Sequence, residues 1–189
     1  MLATQDVHTA IAEAARQFPR ERAAAVAQRD EIFRRGVAPR PALDGRYRGA
    51  LLTTSVNPFI NGLARAVTRR WLTWKGKVFD AATQSGDNMF TNDGLWASKL
   101  VFPGYQGTHP DGPGRSRALQ FRTYLGPGKD DPGLEVLKLD YNLETNPGFI
   151  VRDVLDELVQ VDSGYYLGKA HLFWRNRWRC AAYFTLQPM

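Results

Sequence analysis

The sequence predicts a mainly antiparallel β-barrel, preceded by two amphipathic helices and interrupted by a third after the first strand. Three observations predict it. Apolar residues recur at helical spacing chiefly in the early part of the chain. From Trp74 onward, short segments of strand composition alternate with dense turn formers. The last five segments are joined by short turns, as in a meander. At 189 residues, 43% hydrophobic and 23% charged, the chain is of ordinary globular composition. A chain of this size buries roughly 70% of its unfolded surface, enough for a true core.

Val7, Ile11, Ala14, Ala15 and Phe18 mark the first helix, which ends near Pro19. The second runs from about Arg20 to Arg35, with Ala23, Val26, Ala27 and Phe33 inward and Gly36 as its stop. Gly36 to Leu43, carrying Pro39 and Pro41, reads as an extended linker. Residues 1–42 are thus expected to form a helical segment packed on a barrel domain of residues 43–189. Arg46 to Thr54 is the first strand. Asn57-Pro58 caps the next helix, with Ile60, Leu63, Ala64, Val67 and Trp71 on one face. Further strands are expected at 74–80, 88–91, 96–102, 117–125, 134–142, 149–161, 165–174 and 178–187. The segment 149–161 also fits a helix through Val151, Leu155, Leu158 and Val159; its β-branched residues and alternating acids favour a long bent strand. Closing such a meander removes its edges, and about eight strands enclose room for one small ligand.

Charge and motifs narrow the function. Residues 1–72 hold 12 arginines, no lysine and 6 acids, which accounts for the whole net charge of +6. These arginines either solvate the outer helix faces or offer peripheral contact to an anionic membrane; a nucleic-acid partner is not expected, and the oligomeric state is not legible. No nucleophile elbow, P-loop, dinucleotide fingerprint or Cys-x-x-Cys pair occurs, so no cofactor and no metal are expected. The lone Cys180, on an apolar strand face, reads as a structural thiol. Without a signal-like run or an apolar stretch of membrane-spanning length, a cytoplasmic location is the default.

Gly45-Arg46-Tyr47-Arg48-Gly49 resembles the G-x-W-x-G entry of lipocalin-like (calycin) barrels, with Tyr in place of Trp. The following helix and Trp74-Lys75-Gly76-Lys77-Val78-Phe79 are similar to the bacterial GxWxG-domain proteins. Leu139-Asp140-Tyr141-Asn142 and Gly164-Tyr165-Tyr166-Leu167-Gly168-Lys169 resemble the barrel domain that accompanies it. The resemblance implies a lipocalin-like barrel that carries a small lipophilic molecule, some members being isomerases or cyclases. It also implies a basic residue of the last strand, Arg177 or Arg179, over the Tyr47 ring.

The candidate site follows from strand alternation. Tyr165, Leu167, Lys169, His171 and Phe173 share one face of the segment 165–174, mixing aromatics with two titratable groups. Asp140 on the segment 134–142 would pair with Lys169 or orient His171 if those strands are neighbours. Asp140, Lys169 and His171 are then the acid–base candidates of a cofactor-free isomerase, cyclase or dehydratase, the alternative to simple binding of an apolar molecule. Trp74, Arg122, Tyr124, Tyr165 and Phe173 are the expected ligand contacts. The opposing reading makes the charged residues an exterior ion pair on a solvated sheet. Asp87-Asn88 reads as a turn, and His109 as a solvent-exposed loop residue.

Overall fold

The computed structural model describes residue 7 and residues 9–11, 22–40, 42–54, 73–92, 102–148 and 150–189. Among the described residues nine strands follow one another: β1 (Gly45–Thr54), β2 (Trp74–Asp80), β3 (Ser85–Thr91), β4 (His109–Pro110), β5 (Arg115–Pro127), β6 (Glu135–Asp140), β7 (Val154–Asp162), β8 (Tyr165–Trp174) and β9 (Arg177–Pro188). The expected helix from Pro58, most of the first helix and all but Phe102 of the expected strand 96–102 lie outside the described residues.

All pairings are antiparallel. β9 returns to β1, and β3 pairs with β5, so eight strands close a barrel, with the short β4 attached beside β5. Closure leaves those eight strands without a free edge. One end, here the lower, carries the turns β2–β3, β5–β6 and β7–β8. The upper end carries the β8–β9 turn and the starts of β2, β5 and β7.

Two glycines let large rings lie flat inside. A Cβ on Gly49 would stand 2.2 Å from the Trp74 ring, and one on Gly168 would stand 2.2 Å from the Phe184 ring. Gly76 has φ +140°, and a Cβ there would meet the Tyr47 carbonyl oxygen at 1.9 Å. In the lower half, aromatic rings fill the interior edge to face. Their centroids are 5.3 Å apart for Tyr47–Phe79, 5.4 Å for Phe79–Phe121 and 5.7 Å for Tyr47–Tyr166. Tyr47 is therefore covered by interior rings, not by Arg177 or Arg179. Its register partner on β9 is Pro188, at the opposite end of the strand from both arginines.

Helix α1 (Arg22–Arg35) packs on the outer wall. Its buried stripe is Ala25, Arg29 and Phe33, while Ala23 and Ala27 are exposed, which corrects the expected inner face. The alanines gave no sign of which side would dock, and an arginine occupies the middle of the buried row. Phe33 joins Ile11, Val136, Val159, Tyr165 and Leu167 in a second apolar cluster between helix and barrel. The Gly36 N–H donates to the Phe33 carbonyl and ends the helix. Segment 149–161 resolves into a short 3-10 turn, Val151–Asp153, followed by β7.

Candidate functional site

Strand parity divides the polar residues between the two faces of the wall. Asp156 and Leu158 of β7 point inward with Tyr166, Gly168 and Ala170 of β8. Glu157, Lys169 and His171 therefore point outward. The mixed face of β8 is thus the outer wall. Lys169 and His171 are nonetheless 1% and 0% exposed, because α1 and the β5–β6 loop cover them.

Asp140 joins neither of them. β7 lies between β6 and β8, with Leu155 in register with both Asp140 and His171. Asp140 instead accepts two hydrogen bonds from the exposed Arg122 guanidinium, at 2.7 and 3.0 Å. Lys169 pairs with Asp30 of α1 at 2.7 Å and with Asp131 at 3.2 Å, its ammonium 4.6 Å from the Phe33 ring centre. Burial alone would lower the Lys169 pKa, but these two carboxylates raise it. His171 Nε2 lies 3.1 Å from Glu157, which also takes the Lys138 ammonium and the Lys129 N–H. Burial would raise the Glu157 carboxyl; His171 and Lys138 outweigh it and hold its pKa at about 2. These charges fasten helix and loop to the wall.

Among the expected ligand contacts, Tyr165 is buried on the same outer wall, Tyr124 is exposed beside Arg122, and Phe173 is exposed near the β8–β9 turn. Trp74 is the one that faces the interior. Burial raises the pKa of Cys180 to about 12, in keeping with an inert thiol.

The interior holds a different polar group, in the upper half of the barrel. Lys77 of β2 is 2% exposed, and its ammonium donates to Asp156 Oδ2 at 2.9 Å, Asn88 Oδ1 at 2.8 Å and the Tyr141 hydroxyl at 2.5 Å. The same nitrogen is 5.2 Å from the Phe121 and Phe184 ring centres, 5.3 Å from Tyr141 and 5.5 Å from Trp74. A cation among four rings gains from their quadrupoles where water is excluded. Trp74 Nε1 donates to Asn88 Oδ1 at 3.0 Å, and Asn88 Nδ2 donates to the Leu119 carbonyl and the Tyr141 hydroxyl. Tyr141 donates to Asp156 Oδ2 at 3.0 Å.

All three ammonium protons are therefore committed. Asp156 is 3% exposed, and its Oδ1 has no hydrogen-bond partner among the described residues. Burial lowers the Lys77 pKa against the opposing pull of Asp156, and burial with the Asp156 charge raises that of Tyr141 well above its usual value. Half-buried Leu51, Trp74, Phe102, Leu119 and Val154 pack above this group toward the upper end. Among the described residues no cluster of His, Cys, Asp or Glu has the makings of a metal site.

Sequence reasoning missed Lys77, Asn88, Tyr141 and Asp156. The available signal was parity. Lys77 shares its face with Phe79, and Asp156 shares its face with Leu158. Each is a charge placed in the row that fills the core.

No family model matches the chain, and no curated protein matches it. Among solved structures it is similar to a protein from Thermomonospora curvata at 13% identity, covering 94% of this chain and 99% of that one. The TM-score is 0.49, a likeness too distant to assign a family.

Proposed function

We propose that the barrel binds a small molecule with an apolar body and a hydrogen-bond-donating head, such as an alcohol or amine. The head would meet Asp156 Oδ1, and the body would lie against Trp74, Leu51, Leu119 and Val154. One observation carries this reading: a buried polar group in an apolar barrel, saturated at every donor, has a single acceptor left over. Leaving a buried acceptor unpaired costs about 1–3 kcal/mol, which a donating ligand would recover. A carboxylate head is disfavoured, since it would face Asp156 with no ammonium proton to spare. The alternative of a cofactor-free isomerase, cyclase or dehydratase has less behind it, because the Lys77 ammonium and the Tyr141 hydroxyl already donate to Asp156 Oδ2.

Titration calorimetry with dodecanol, dodecylamine and dodecanoate tests this. The alcohol or amine should bind, Asp156→Asn should weaken that binding about tenfold or more, and dodecanoate should bind poorly. Preferred binding of dodecanoate would overturn the assigned head group. Failure of all three to bind, together with no co-purifying small molecule in native mass spectra, would overturn the binding reading itself.

A further inference from the structure

The β8–β9 hairpin extends past the barrel. Leu172 is the last residue of β8 with a partner on β7, and Ala182 is the first of β9 with a partner on β1. Among the described residues, 173–181 therefore pair only with one another, as a two-stranded ribbon at the upper end. Its sequence is Phe173-Trp174-Arg175-Asn176-Arg177-Trp178-Arg179. Phe173 is 38% and Trp174 42% exposed, Trp178 is half-buried, and Arg175, Arg177 and Arg179 are exposed. None of the three arginines has an ion-pair partner among the described residues. The exposed Lys129 adds a fourth cation, its ammonium 4.9 Å from the Trp178 ring centre.

The turn itself is made by Arg175 and Asn176, with φ of 50° and 60°. A two-residue turn with both residues left-handed favours Asn-Gly. Asn176 suits its place, but an arginine at the first position is held at a conformational cost.

We propose that this ribbon docks the protein on an anionic lipid bilayer. Trp favours the headgroup boundary, where its ring and its N–H are both satisfied, Phe gains by burying its ring there, and arginines are drawn to anionic headgroups. The ribbon carries rings on both of its faces. Phe173 and Trp178 are cross-strand partners on one face, and Trp174 lies with Arg177 on the other. That distribution suits a tip entering a fluid boundary, which can meet rings on either face. A protein groove would need one apolar face. Single-stranded nucleic acid would need rings free to stack on bases, whereas the Phe173 and Trp178 rings already pack together at 5.2 Å. The contact proposed is one of surface attachment; no helix among the described residues is long and apolar enough to cross a membrane.

Vesicle flotation of the full chain tests the proposal, using phosphatidylcholine alone and equimolar phosphatidylcholine with phosphatidylglycerol. The protein should float with the anionic vesicles, less so as salt rises, and stay in solution with phosphatidylcholine alone. Arg175→Gln with Arg177→Gln should weaken binding roughly thirtyfold. Phe173→Ser with Trp174→Ser should abolish it, and neither pair should shift the melting temperature much, because the ribbon lies beyond the closed sheet. Undiminished flotation of both double variants would overturn the proposal and move any attraction to the N-terminal arginines. Ribbon-dependent binding to single-stranded RNA with no vesicle binding would overturn it in favour of a nucleic-acid surface.

Discussion

At the scale of single residues, Lys77 and Asp156 are the pair on which the interior depends. Each is nearly inaccessible, and each is the other's only opposite charge in the cluster. Removing one partner of a buried pair strands the other and costs about 3–5 kcal/mol, whereas replacing both with apolar groups is often close to neutral. Lys77→Met should therefore lose about 3–5 kcal/mol in urea unfolding, and Lys77→Met with Asp156→Leu should lose markedly less. If the losses of the two single variants simply add in the double, the two side chains are not coupled as their 2.9 Å contact requires. This pair was hard to read in the sequence for a physical reason. A lysine followed by Val-Phe has the pattern of an ordinary exposed strand lysine, and which parity faces inward depends on register. The bulge between Trp74 and Gly76 sets that register, placing Trp74 and Lys77 on one side although they are three residues apart. Lys169 and His171 looked like pocket residues because burial by a helix on the outer wall leaves the same mixed composition as burial by a ligand.

At the scale of elements, α1 meets the outer wall and the β5–β6 loop through charge as much as through apolar contact. Phe33 supplies the apolar anchor, and Asp30, Lys169, Asp131 and Arg34 fix the helix in place. Beneath them, Glu157 binds Lys138 and His171. Its folded pKa of about 2 lies below the ordinary 4.5, so its stabilisation is fully present above about pH 4.5. That stabilisation is lost as pH falls from there toward 2, because the unfolded chain takes up the proton first. Melting temperature should accordingly fall across that interval. Glu157→Gln should lower stability at neutral pH by about 3–5 kcal/mol, by leaving Lys138 unpaired, and should flatten the acid limb. An acid limb unchanged in the variant would assign the pH dependence to other carboxylates. β7 also shows why its helical reading was tenable. Leu155 and Val159 face the covered outer wall while Leu158 faces the interior, so both sides are apolar and period-two alternation is erased.

At the scale of the whole molecule, the turn formers placed most strands to within a few residues, because Pro, Gly and Asn-rich breaks act locally. Closure was inferred from the cost of open edges, and the β3–β5 pairing supplies it. What no local signal carried was the second layer, the outer wall of β6, β7 and β8 roofed by the N-terminal segment, since that is a contact between distant parts of the chain. The layer makes a prediction about independence. In a chain of residues 43–189, every pairing that closes the barrel is retained, so far-ultraviolet circular dichroism should remain that of a strand-rich protein. The truncated barrel would expose Val136, Val159 and Leu167, and Lys169 would lose Asp30. Burying each large apolar side chain contributes about 1.5–3 kcal/mol, so losing Phe33 and Ile11 alone should lower stability by several kcal/mol. The urea midpoint should drop accordingly, and binding of an apolar dye should rise as the wall is uncovered. An unchanged midpoint would mean that α1 rests on the barrel without stabilising it, and the buried charges of the outer wall would then lack the helix as their reason.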